Sequence, residues 1–194
     1  IQNNGSLLKH TTVTHSYPHD WRTGKPLIFR ATDQWFCSIE PIRQQLLEQI
    51  HNVKWYPAWG ETRMINMIKD RSDWCISRQL WWGHRIPAWY CDDCGATIVE
   101  NEDVTVCPHC GSKHVHQDED VLDTWFSSGL WPFETMGWPE QTAELKQFYP
   151  TSVLVTGYDI IFFWVVRMAF AGMFCMGETP FKHVLIHGLV RDSE

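Results

Sequence analysis

Apolar residues recur at helical spacing in two stretches of this sequence. Ile42, Leu46, Leu47 and Ile50 fall on one face of a helix. Ser38 stands where an N-cap belongs and Pro41 where a first-turn proline belongs. Trp55, Pro57, Trp59 and Gly60 form a break, and Met64, Ile65 and Ile68 then mark the inward side of a second amphipathic helix over residues 61–70. Residues 1–36 show no such period. Pro18, Gly24 and Pro26 punctuate loops and short strands there, with Leu27-Ile28-Phe29 the best strand candidate. Residues 74–89 are dense in aromatics, residues 90–117 are polar and carry cysteines, and residues 121–138 return to apolar and aromatic positions with Gly and Pro turns.

The last fifty residues read as strand, helix, strand. Val153–Thr156 is predicted to be a buried strand that Gly157 ends, Asp159 opens the apolar run Ile160–Met176, and Val184–Ile186 leads into His187-Gly188. That order predicts a parallel βαβ unit and an α/β fold. The turn at 157–159 and the loop at 187–188 then sit at the carboxyl ends of neighbouring strands, where open α/β sheets bind ligands. The apolar run falls short of the roughly 20 residues that span a bilayer and carries Arg167 near its centre. A buried helix is expected, and no membrane partner.

Composition narrows the picture. The chain has 194 residues, 44% hydrophobic and 20% charged, enough to bury a core, and its length fits one domain with an appendage or two small domains. A net charge of −7 argues against a free-standing nucleic-acid-binding module, which is usually basic. Of seven Cys, four form two CxxC pairs, which suits metal binding in a reducing compartment better than a disulfide framework. The first ten residues hold no apolar stretch of signal-peptide length, so the cytoplasm is the expected location.

Cys91-Asp-Asp-Cys94-Gly and Cys107-Pro-His-Cys110-Gly are the strongest chemical motif. Each pair can turn two thiolates to one point, and four thiolates complete a tetrahedral Zn²⁺ with no open position, a structural site. A segment this short has little core, so the metal would hold it together. The competing readings are unrelated cysteine pairs, a redox dithiol, or replacement of one thiolate by His109, His114 or His116.

Three longer runs carry a resemblance: Asp73–Tyr90, Asp120–Phe133, and Thr156–Met168 with His187–Asp192. They resemble the class I aminoacyl-tRNA synthetases of the valyl/isoleucyl/leucyl group, and the valyl type most. His15–Thr23, Ile28–Phe36 and Asn66–Trp74 are closer to the isoleucyl type. The resemblance implies the C-terminal half of a Rossmann-like catalytic core. On this basis residues 1–36 return from an editing domain, 37–89 are a helical connecting part, 90–119 a zinc ribbon, and 120–194 the second half of the core. The family's His-Ile-Gly-His and Lys-Met-Ser-Lys-Ser motifs are absent from the sequence and are expected outside it. No catalytic residue is therefore assigned, and the fragment alone is expected not to activate an amino acid.

The resemblance also implies roles. The family activates an amino acid with ATP and Mg²⁺ and passes the acyl group to tRNA. The chemistry is positioning and charge stabilisation rather than side-chain covalency. Trp125 and Ile160 match opposite walls of the pocket for a branched aliphatic side chain, valine or else isoleucine. Gly157 and Asp159 match the adenosine site, where a carboxylate can accept both ribose hydroxyls. His187, Gly188 and Val190 match the segment bordering adenine. From the residues alone, Trp125 and Ile160 read equally as core, Asp159 as a helix cap and His187-Gly188 as a turn. Arg78, Trp81, Trp82, His84 and Arg85 interleave cations with rings, which suits the unpaired 3′ end of tRNA. The alternative is that these tryptophans pack the joint between the connecting part and the core. The remaining partner expected is the rest of the synthetase chain. The competing function is a zinc-ribbon module that recruits nucleic acid without catalysis.

Overall fold

The structure is a computed structural model and describes residues 1–20 and 22–193. The chain divides into two compact units, Ile1–Asp33 and Gln34–Glu194. The first is mostly irregular: a 3₁₀ turn at Gln2–Asn4, one bridge between His19 and Pro26, and a turn in which Asp20 accepts from both the backbone and the hydroxyl of Thr23. Leu27-Ile28-Phe29 is not a strand, and Ile28 and Phe29 are exposed. A β-branched and aromatic triplet forms a strand only where a neighbour offers a ladder, and here only Pro26 pairs.

The second unit holds, in chain order, β1 (Phe36–Cys37), α1 (Glu40–Ile50), β2 (Lys54–Tyr56), α2 (Trp59–Lys69), β3 (Trp74–Cys75) and β4 (Ser77–Arg78). It continues with β5 (Ala88–Cys91), β6 (Thr97–Val99), β7 (Val115–Gln117), β8 (Val121–Leu122), α3 (Thr124–Glu134) and α4 (Ala143–Phe148). Last come β9 (Thr151–Gly157), a helical run from Tyr158 whose α-helical part is α5 (Val166–Met176), and β10 (Phe181–His187).

The two amphipathic helices form where the apolar period places them. Leu46 and Ile50 of α1 and Met64 and Ile68 of α2 are buried, and Ile42, Leu47 and Ile65 pack partly against the same core. Ser38 does not cap α1. The Asp73 carboxylate, far along the chain, accepts from the Ile39 N–H at 3.2 Å and from the Ser38 hydroxyl at 3.3 Å.

β9 and β10 run parallel, with His187 opposite Gly157, and the helical run connects them as the expected βαβ unit. The break expected at residue 55 is in fact a third parallel strand. β2 pairs with β10, Trp55 opposite Val184, giving sheet order β2-β10-β9. One face of this sheet, with Trp55, Leu154, Thr156, Val184 and Ile186, is buried against α5 and the paired helices α1 and α2. The expectation of a buried strand at 153–156 fails on the other face. Tyr56, Val153, Val155 and Leu185 are exposed there, and Tyr56 stacks on His183.

The helical run Tyr158–Met176 is long and apolar enough to cross a bilayer, but it is the core helix of this unit. Val165, Val166, Met168 and Ala169 are fully buried, and Arg167 sits in an ion pair. β5, β6 and β7 form a separate antiparallel sheet, order β6-β5-β7, over a small core of Trp89, Ile98, Cys91 and Cys107.

Candidate functional site

The helical run does not begin as a simple α-helix. Tyr158–Ile160 is a 3₁₀ turn and Ile161–Val165 a π turn, before the α-helix starts at Val166. π turns are rare inside helices and concentrate at functional sites. This one follows the carboxyl end of β9, where Gly157, Asp159 and His187 converge. A Cβ added to Gly157 would lie 2.5 Å from Asp159 Oδ1 and 3.6 Å from His187 Cε1. Glycine is thus needed for the Asp159 carboxylate to fold back over the strand end. Asp159 and His187 are exposed, so their polar atoms face solvent. His187 Nδ1 donates to the Gly188 carbonyl at 2.7 Å. Gly188 has open space where a Cβ would stand, and Val190 is exposed.

Trp125 lies on the neighbouring helix. Asp123 caps α3 by accepting from the Trp125 N–H. The half-buried Trp125 indole stacks on Phe163, with ring centroids 5.9 Å apart and planes at 22°. Ile160 is half-buried one turn earlier than Phe163. The ring Trp125 meets is therefore Phe163, which sequence reasoning did not single out; its i+3 spacing from Ile160 was the available signal. Pro132 fixes how the two helices dock. Lacking an N–H, it leaves the Ser128 carbonyl without its helical donor, and Trp164 Nε1 supplies one at 3.1 Å. Gly129 lets the backbones approach: a Cβ there would lie 3.2 Å from the Arg167 carbonyl.

Below this contact lies a buried ionic hub. The Asp123 carboxylate receives Arg78 Nη2 at 2.9 Å, Trp74 Nε1 at 2.9 Å and Arg167 Nη2 at 3.6 Å. Arg78 also donates to the Cys75 and Ser77 carbonyls. Arg85 donates to the Asp118 carbonyl at 2.6 Å. Both guanidinium groups expected to meet RNA are thus engaged within the fold. Trp81 and Trp82 do not pack the joint; they stand out at 89% and 86% exposure. Gly83 follows them against Val121, where a Cβ would come within 2.8 Å, and this tight turn throws both indoles outward. The joint to the ribbon is made instead by Asp118, which accepts from Trp35 Nε1 at 2.8 Å and the Tyr90 hydroxyl at 2.7 Å. Burial opposes ionisation of Asp118, but these two donors, the Asp120 N–H and the nearby Arg85 charge together outweigh it and hold the carboxyl below its ordinary value.

The four ribbon cysteines meet. Their sulfurs lie within 4.8 Å of one another, Cys91 and Cys110 at 3.6 Å and Cys94 and Cys107 at 3.7 Å. Four thiolates about 2.3 Å from one Zn²⁺ stand roughly 3.8 Å apart, so the set fits the metal with at most a small closing of the wider pairs. The two knuckles repeat one geometry. Cys91 N–H bonds Ala96 and Gly95 N–H bonds Cys91; Cys107 N–H bonds Ser112 and Gly111 N–H bonds Cys107. Gly95 and Gly111 take φ of 71° and 76°, which favours glycine. Burial opposes ionisation of Cys107, but donors from the Cys110 and His109 backbone lower its thiol to about 7. His114 and His116 pair with Asp93 and Asp92, outside the sulfur cluster.

Residues 18–194 match the model of the family described as tRNA synthetases class I (I, L, M and V), and the chain belongs to that family. Its relatives include valine–tRNA ligases. It is 54% identical over 192 residues to that of Carboxydothermus hydrogenoformans, covering 98% of this chain and 22% of the relative. It is 56% identical over 196 residues to that of Clostridium tetani, covering 100% and 22%. The chain thus spans about a fifth of the length of these relatives. Among solved structures, methionyl-tRNA synthetase of Mycobacterium tuberculosis bound by methionyl-adenylate shares the fold at TM-score 0.62 and 16% identity, over 94% of this chain and 32% of that one. A ternary complex of leucyl-tRNA synthetase, tRNA and LeuAMS from Agrobacterium radiobacter does so at TM-score 0.53 and 21% identity, over 62% and 20%. Together they give this chain the α/β fold of a class I synthetase catalytic domain.

Proposed function

We propose that the protein to which this chain belongs is a valine–tRNA ligase, and that the chain supplies the adenosine side and one wall of its adenylate site. The observation that carries this reading is the convergence of Gly157, Asp159 and His187 at paired strand ends, from which the chain runs through Ile160 into the turn whose Phe163 stacks on Trp125. Gly157 lets the ribose approach backbone, and Asp159 accepts its hydroxyls. Main-chain groups of Gly188 and Val190 border adenine beside His187. Trp125 and Ile160 flank the valine side chain; a pocket of this kind discriminates a methylene by only about 1–3 kcal/mol. ATP arrives with Mg²⁺, which shields its phosphates. The four ribbon cysteines hold a structural Zn²⁺, and tRNA is the acyl acceptor. In this reading residues 1–36 return from an editing domain, 37–89 form the connecting part and 120–194 the second half of a Rossmann-like core.

The test is binding of a non-hydrolysable valyl-adenylate analogue to the full-length protein by calorimetry. Asp159→Ala is expected to weaken it at least about tenfold, the loss of two hydrogen bonds to a charged acceptor. Unchanged affinity would remove Asp159 from the site. A full-length protein that binds an isoleucyl analogue more tightly than the valyl one would overturn the assignment to valine.

A further inference from the structure

The two walls read for the valine side chain ride on different elements. Trp125 stands in the first turn of α3, whereas Ile160 and Phe163 belong to the run between β9 and α5. The docking contacts of these helices, Trp164 on the Ser128 carbonyl and Gly129 against the Arg167 carbonyl, lie about one turn past Trp125.

One side chain bridges the two elements at the level of the walls. Arg167, 5% exposed, donates Nη1 to the Phe163 carbonyl at 2.8 Å, and its Nη2 stands at an ion-pair distance of 3.6 Å from Asp123 Oδ2. The other oxygen of Asp123 accepts from the Trp125 N–H. The guanidinium also lies 4.6 Å over the Trp74 ring and 5.7 Å from that of Phe163. A single planar fork thus reaches the backbone of the π turn with one nitrogen and, through Asp123, the backbone of Trp125 with another. Stability alone does not account for this group, because apolar residues of similar volume often hold a core as well as a buried ion pair does. Nor does the Asp123 charge depend on it: Arg78 pairs with that carboxylate at 2.9 Å, and Trp74 Nε1 donates to it at the same distance. What Arg167 adds, and no apolar side chain could, is a fixed direction from one wall to the other.

We propose that Arg167 is a positioning residue for the amino-acid pocket, setting the separation between the Trp125 indole and the turn that carries Ile160 and Phe163. The proposal rests on the reading of Trp125 and Ile160 as the walls that flank the valine side chain. Apolar walls refuse a larger side chain only while the slot keeps its width. A slot free to widen gives up part of the roughly 10–200-fold discrimination that one methylene allows. The adenosine side is independent of this bridge: among the described residues the guanidinium makes no hydrogen bond or ion pair with Gly157, Asp159 or His187.

ATP–pyrophosphate exchange by the full-length protein, with valine and with isoleucine, separates positioning from support of the fold. Arg167→Met keeps the volume and the ring contacts, leaves Asp123 paired with Arg78, and removes the bridge. It is expected to raise KM for valine about tenfold, leave KM for ATP within about twofold, and lower the valine-over-isoleucine ratio of kcat/KM about tenfold. Arg167→Lys returns the charge beside Asp123 but not a fork that reaches both partners, so it should recover part of each loss. Hydrogen exchange of the α5 amides checks that both variants fold. If Arg167→Met does not, Arg167→Lys decides, with a valine KM raised about threefold and an ATP KM unchanged as the supporting result. Trp125→Ala is the control for the underlying reading. If it leaves the valine KM where it was, that reading fails and this inference with it. If it raises the valine KM while both Arg167 variants match wild type, the role of Arg167 alone is overturned. Valine and ATP KM rising together in the Arg167 variants would make the residue a support of the fold and overturn the proposal as well.

Discussion

Replacing Asp123 by alanine gives the sharpest test of how this core is held. The carboxylate is 5% exposed and carries four loads: Arg78 at 2.9 Å, Arg167 at 3.6 Å, the Trp74 indole at 2.9 Å and the α3 N-cap. Its removal leaves Arg167, equally buried, with no opposite charge. Breaking a buried pair from one side costs about 3–5 kcal/mol. Loss of the cap costs about 1 kcal/mol. The two share one side chain and do not simply add, so about 4 kcal/mol is the expected loss. Asp123→Asn keeps an acceptor for Trp74 and a good cap while removing the charge, and should cost about half as much. Hydrogen exchange of the α3 amides in the full-length protein reads the opening free energy of this region directly. If Asp123→Ala lowers it by less than about 1 kcal/mol, the hub is ornamental and α3 is held by packing alone.

Three further outcomes follow from the same geometry. Gly172→Ala places a Cβ 2.8 Å from Pro180 Cδ and 2.9 Å from the Glu178 carbonyl, so it should destabilise the α5–β10 turn by about 1–3 kcal/mol, read as a lowered melting temperature. Chelation of zinc, or Cys110→Ser, should abolish amide protection in β5, β6 and β7 while leaving α5 unchanged, and metal affinity should fall with falling pH because protons compete for the thiolates. The Asp118 carboxyl is lowered in the folded state, so its contribution is present above the unfolded value of about 4 and is lost as pH falls through the folded value. The Trp35 indole N–H resonance should therefore shift in that acidic range, and Asp118→Asn should remove the pH dependence.

Local signals in this sequence were legible, and long-range ones were not. The 3.6-residue period gave α1 and α2, and paired CxxC-Gly motifs gave two matching knuckles, because both depend on neighbours a few residues apart. β2 escaped notice because it is three residues long and its ladder partner, β10, comes near the other end of the chain. The capping of α1 by Asp73 crosses 34 residues and overrides the nearer Ser38. The π turn shifts the facing of Phe163 and Trp164, which a uniform helical wheel does not foresee. Arg71 belongs to no chemical motif, and only the fold sets its guanidinium over the Phe162 ring.

The sheet's two faces have unequal consequences. A parallel sheet is normally covered on both sides, yet Tyr56, Val153, Val155 and Leu185 form an uncovered greasy plane. Concentrated on its own, the chain would therefore be adhesive, stacking plane to plane before any specific chemistry began. Lysine at Val153 and Val155 should keep it monodisperse without touching the packed side, turning this fragment into a tractable object for spectroscopy.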